Sequence, residues 1–119
     1  MPVIEIQTPV KAPPPGLLEL IAKRVQSILN LPDDRVWILW SGFDEHGYFR
    51  PNWSAEAGQG GPIVRIRCKS DYNPHQVNSV MTAIADMLAE HMRVPLESVY
   101  IVVDPVLRGR LFVRGQLWT

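Results

Sequence analysis

The chain has 119 residues, enough for one domain that buries a core without staples. Twelve Lys and Arg balance twelve Asp and Glu, and 46% of the residues are hydrophobic, which excludes a disordered chain and a nucleic-acid-coating one. The single cysteine, Cys68, excludes an internal disulfide and a multi-cysteine zinc site; with no signal-peptide pattern and no apolar run near the ~18 residues that span a bilayer, a cytoplasmic protein without a membrane or nucleic-acid partner is expected.

A proline directly follows Met1. A small second residue favours removal of the initiator, and Pro2 would then carry a free secondary amine. "VIEIQ" (3–7) alternates apolar and polar residues as a half-buried strand does, with Ile4 and Ile6 on one face and Glu5 and Gln7 on the other. After the turn-rich "TPVKAPPPG", Leu17, Leu18, Ile21, Val25, Ile28 and Leu29 fall at helical spacing opposite Lys23, Arg24 and Gln26. The preceding prolines suit a helix start. "LPDD" breaks the helix, and "RVWILW" predicts a strand buried on both faces.

The pattern then repeats. "PIVRIRCK" (62–69) alternates, a helix from about Pro74 carries Val77, Met81, Ile84, Leu88 and Met92, "VPLES" breaks it, and "VYIVV" (99–103) predicts a buried strand. "PVIEI" from Pro2 aligns with "PIVRI" from Pro62, and "LPDDRVWILW" from Leu31 with "VPLESVYIVV" from Val94, an offset of 60 to 63. The domain therefore divides into pseudo-repeats 2–40 and 62–103, a loop 41–61 and a C-terminal hairpin 104–119. Each β-α-β crossover is right-handed with parallel strands. Two of them predict an α+β fold, a four-stranded mixed sheet with both helices on one face. The other face would carry Glu5, Gln7, Arg65 and Arg67 among Val3, Ile63 and Trp side chains, a mixture suited to closure by homo-oligomerisation. Arg65 and Arg67 are expected to pair with Glu5. "LRGRLFVRGQLW" reads as a hairpin turning at "RGQ", with Leu111, Val113, Leu117 and Trp118 docking on an adjacent subunit and Arg108 and Arg110 within reach of the neighbour's pocket.

"MPVIEIQ", "RIRCKSDYNPHQV" and "RVPLESVYIVVDP" together resemble the tautomerase superfamily, the last resembling the "aPLxSVxVxxxE" segment of 4-oxalocrotonate tautomerase, and "HGYF" (46–49) its "GHF". Length and duplication also resemble macrophage migration inhibitory factor and the fused tautomerases. The resemblance covers about residues 2–49 and 62–105. It implies a homotrimer with pockets at subunit edges, each headed by an amino-terminal proline that acts as a general base between an enol and its ketone, without cofactors, on a small carboxylate substrate.

A base of that kind needs its pKa brought near the operating pH by apolar walls and nearby cations. Pro2 is the catalytic candidate, with Phe49, Trp53 and Tyr100 as walls. Lys69 resembles the family's substrate-binding arginine but offers a point charge in place of a fork. Lys11 takes the comparable place in the first half, and Arg50 sits between aromatics in the long loop. A Pro2-dependent hydratase or dehalogenase is the alternative, needing Asp71 or Asp104 to activate water; a non-catalytic trimeric binding protein is the other. His46, His75 and His91 lack metal-ligand spacing, "GQGGP" lacks the lysine of a phosphate loop, and Cys68 falls on the core face of its strand, which predicts an inert thiol.

Overall fold

A computed structural model describes residues 1–50 and 61–119. Strand β1 (Val3–Thr8), helix α1 (Leu17–Leu29) and strand β2 (Trp37–Gly42) form the first unit; β3 (Ile63–Lys69), α2 (Pro74–Met92) and β4 (Tyr100–Val106) form the second. The sheet order is β2-β1-β3-β4, with β1 parallel to β2, β3 parallel to β4, and β1 antiparallel to β3 through Val3↔Arg67 and Gln7↔Ile63. Both helices contribute their buried side chains to one core with the sheet, the expected α+β arrangement.

Local chemistry sets the helix ends. Pro74 opens α2 behind Asn73, whose side chain accepts from the Gln76 N–H while the Gln76 side chain answers the Asn73 N–H, a reciprocal cap that satisfies two donors the helix cannot. Asn30 and Arg93 close the two helices at φ 54° and 56°. The next residues, Leu31 and Val94, donate back to the Gln26 and Ala89 carbonyls, the left-handed closure that ends a helix.

These endings repeat at an offset of 63, as do the starts of β2 and β4, while β1 and β3 start 60 apart. Arg35 donates to the Pro32 carbonyl as Ser98 does to that of Pro95; Trp37 donates to the Pro2 carbonyl at 3.1 Å as Tyr100 does to that of Pro62 at 3.0 Å. Continued past Val3, the antiparallel register sets Pro2 opposite Cys68 and Met1 opposite Lys69, while the 60-residue offset between β1 and β3 makes Pro9, two residues short of Lys11, the counterpart of Lys69.

Ile4, Ile6, Val64 and Ile66 on the sheet meet Leu17, Ile21, Val25, Ile84 and Leu88 from the helices, all at most 1% exposed. Each such side chain contributes roughly 1.5–3 kcal/mol, against ~1 kcal/mol or less for a surface ion pair, so the layer contact holds the fold. Val80, outside the expected α2 stripe, is buried, whereas Val77, Met81 and Met92 are half-buried. The outer strands also depart from expectation. Trp37 and Leu39 on β2 are 51% and 56% exposed and Tyr100 on β4 43%, because in each chain these edge strands meet a helix layer on one face only. On that uncovered face Arg67 pairs with Glu5 at 2.6 Å, but Arg65 pairs with Asp104 at 3.0 Å rather than with Glu5.

The hairpin is β5 (Phe112–Val113) and β6 (Gln116–Leu117), joined by Arg114 and Gly115 at φ 56° and 80°. Two positive φ values in a two-residue loop give a turn whose twist matches the strands. Of the described helices, none is long and apolar enough to cross a membrane.

Candidate functional site

The Pro2 ring is buried, and its carbonyl is fixed by the Trp37 N–H. Around it lie Leu29, Ile66, Cys68, Tyr72, Val80 and Val103. Within one chain these supply the dry walls, and Phe49 and Tyr100, expected in that role, are not among them; the wall is assembled from α1, β3, the turn after β3, α2 and β4 around the chain start. Burial pushes both the Cys68 thiol and the Tyr72 hydroxyl up, so both stay neutral and the thiol is unreactive.

Just outside this crevice the amino terminus reaches a cavity of about 500 Å³. Met1, Arg35 and Lys69 form one side, and Val113, Arg114, Gln116, Leu117, Trp118 and Thr119 of the hairpin region the other. With Met1 attached, the free amine is the primary amine of Met1. It is held below the ordinary value of a terminal amine, first by burial, then by Lys69, with Arg35 adding to the effect and Cys68 opposing it. Burial removes water from the ammonium form and neighbouring cations repel it. A base that is neutral at lower pH than usual, beside cations that attract an anion, is suited to bind a small acid and move its proton.

The cations are held differently. Arg35 Nε lies 3.3 Å from Asp34 Oδ1 without hydrogen-bond geometry, so its neighbour offsets its charge only in part. Lys69 Nζ lies 4.8 Å from the centroid of the Trp118 ring, and Arg108 Cζ 4.9 Å from it. Arg108 also binds Asp71 at 2.6 Å. Asp104 is tied to Arg65, so both carboxylates considered as water activators are engaged.

The other candidates lie at the opposite end of the sheet. Lys11 passes Gly42 so closely that a Cβ there would stand 2.5 Å from the Lys11 Cα. Arg50 donates to the Gly61 carbonyl at 3.1 Å and to the Tyr48 hydroxyl at 3.2 Å, and Tyr48 donates to the same carbonyl. Phe49 is 88% exposed. Tyr100 pairs with Ile63 at the start of β3, one strand length, about 20 Å, from the start of β1. Within one chain these four do not join Pro2 and Lys69. Trp53 and the rest of residues 51–60 lie outside the described residues.

The sequence did not place Arg35 or Trp118 at the site beside Pro2; Trp118 was expected at a subunit interface. The signal for Arg35 was available: a strand parallel to β1 and beginning at Trp37 sets the preceding turn beside the residue before Val3. Trp118 carries no such signal, because it arrives by the fold-back of the hairpin, which within one chain lines the cavity beside Met1 and Lys69. Among the described residues, no group of three or more His, Cys, Asp or Glu is arranged to hold a metal.

No family model and no curated protein matches the chain. Solved structures do. A fused 4-OT described as an asymmetric trimer superposes with a TM-score of 0.84 at 13% identity, over 97% of this chain and 94% of that one. Macrophage migration inhibitory factor from Oncomelania hupensis gives 0.78 at 21% identity, over 99% and 82%. N1, a member of the cis-3-chloroacrylic acid dehalogenase family, gives 0.77 at 16% identity, over 98% and 83%. The chain has the fold of the tautomerase superfamily, to which all three belong.

Proposed function

We propose that this chain is a cofactor-independent tautomerase in which Pro2, once Met1 is removed, is the general base for keto-enol proton transfer on a small enolisable carbonyl acid. The observation that carries the reading is the chain start: a half-buried amine of lowered basicity facing a cavity of about 500 Å³ with Lys69 and Arg35 on its wall. Removal of Met1 moves the titratable nitrogen back onto the Pro2 ring, closer to the apolar crevice. Lys69 binds the substrate carboxylate and stabilises charge developing on the enolate oxygen, and Arg35 adds positive potential.

The same reading makes the active form a cytoplasmic homotrimer. The exposed Trp37, Leu39 and Tyr100 on the uncovered sheet face support closure by further copies, as does the trimeric state named for the fused 4-OT relative. Lys11, Arg50, Phe49 and Tyr100 serve as substrate-binding residues only if a neighbouring subunit brings them to Pro2. Hydratase or dehalogenase chemistry is the weaker alternative, because Asp71 and Asp104 are held by arginines.

Intact-mass measurement combined with ketonisation of phenylenolpyruvate tests the proposal. Active protein lacks one methionine, and a variant with an alanine inserted before Pro2 folds but is inactive. Equal activity of the inserted variant, whose ring nitrogen is an amide, would overturn the base assignment. A folded, Met1-free parent that leaves the substrate untouched would favour a non-catalytic binding protein.

A further inference from the structure

We infer that Trp118 is a positioning residue for Lys69: its indole holds the ammonium inside the cavity while leaving the charge available to an incoming carboxylate. The inference rests on the reading that Lys69 binds the substrate acid.

A lysine is a poor clamp unless something directs it. Its long stem has many rotamers, and its ammonium lacks the planar fork by which an arginine orients itself on a carboxylate. Proteins usually restrain such a side chain with an acidic partner, but that partner then competes with the substrate. Among the described residues, no carboxylate lies within ion-pair distance of Lys69. Its recorded contact is the Trp118 ring, at 4.8 Å from Nζ to centroid, well inside the range over which an aromatic face attracts a cation. The ring quadrupole attracts the ammonium without neutralising it.

The rest of the cluster fits this use. Asp71, two residues beyond Lys69, is the nearest acid in sequence, and Arg108 holds it at 2.6 Å. Arg108 also donates to the terminal main-chain oxygen of Thr119 at 3.2 Å, holding that group as well, and lies 4.9 Å from the Trp118 ring. The backbone fixes the indole's place: Trp118 N–H donates to the Leu111 carbonyl at 2.9 Å, and its own carbonyl accepts from Gly109 at 2.7 Å. Hairpin closure and the direction of Lys69 are therefore one event.

A double-mutant cycle on binding of phenylacetate, a carboxylate with no keto group, separates action through Lys69 from direct contact. Measured by titration calorimetry, Lys69→Met is expected to weaken binding about tenfold and Trp118→Leu about threefold to fivefold, with Trp118→Phe near the parent. In the Lys69→Met background, Trp118→Leu is expected to add nothing. An equal loss in both backgrounds would overturn the inference, since Trp118 would then touch the ligand or merely support the hairpin; so would no loss in either, or a parent that does not bind phenylacetate. Should Trp118→Leu fail to fold, Arg108→Gln provides the second arm. It releases Asp71 toward Lys69 and is expected to weaken binding about threefold, and Arg108→Gln/Asp71→Asn restores it. Failure of that restoration counts equally against the inference. Lack of phenylenolpyruvate turnover by a parent that does bind phenylacetate would sink the tautomerase reading and leave this one standing.

Discussion

Pro2 and Pro62 occupy equivalent places in the two halves of the sheet, yet only one of them can have a chemistry of its own. Each precedes a central strand, and each offers its carbonyl to the first residue of the neighbouring parallel strand, Trp37 or Tyr100. Only Met1 precedes Pro2, and its amine sits beside Lys69 and Arg35, so the proposed loss of Met1 would leave that amine on the Pro2 ring. At Pro62 the chain continues: the nitrogen is an amide, and the preceding Gly61 carbonyl is taken by Arg50 and Tyr48. The fold supplies the same cradle twice, and covalent connectivity decides which copy holds a titratable atom.

The widest expected separation between the two ends is kinetic. Pro2→Ala is expected to lower kcat/KM for phenylenolpyruvate ketonisation by about 100-fold or more, while Pro62→Ala stays within about twofold; similar losses at both would mean that the prolines matter for backbone shape alone. Stability should separate them in the other direction. A Cβ on Gly61 would stand 2.9 Å from Arg50 Nη1 and 3.0 Å from the Ser98 carbonyl oxygen. Gly61→Ala should therefore cost about 1–3 kcal/mol by thermal melting, with kcat unchanged.

Arg50→Ala removes one of two donors to the Gly61 carbonyl and should cost about 1 kcal/mol with little kinetic effect. A hundredfold kinetic loss at unchanged stability would instead show that a neighbouring subunit brings Arg50 to the chemistry. The smallest effect concerns pH. The base works only when unprotonated, so activity climbs with pH through the lowered pKa of the chain-start amine and then levels. In Lys69→Met that ascending limb should move to higher pH, but only part of the way to the ordinary amine value, because burial is the larger cause of the lowering. A limb that stays put would remove Lys69 from the amine's surroundings.

Much of this was legible before the structure. The alternation around Ile4, Ile6, Val64 and Ile66 fixed which strand faces look inward, Pro74 marked its helix start, and the 60 to 63 offset reappears in the backbone hydrogen bonds of both halves. Periodicity names a face, however, and not what covers it. "RVWILW" is apolar enough for a central strand but lies at the edge, where Trp37 and Leu39 wait for another surface. The site was harder to read because it is assembled across long separations. Lys69, Arg35 and Trp118 line one cavity only after β3 runs antiparallel to β1 and the hairpin folds back. Lys11 and Arg50 look equally suitable as side chains, but they stand a full strand length away.

Met1 and Thr119 line the same cavity. An affinity handle fused to either end of the chain would thus emerge at the mouth of the site, and one at the front would also cap the very nitrogen whose reactivity is to be measured. Recombinant material should be released without a residual scar ahead of Pro2, or preparations will report a well-folded and silent protein whatever its native activity.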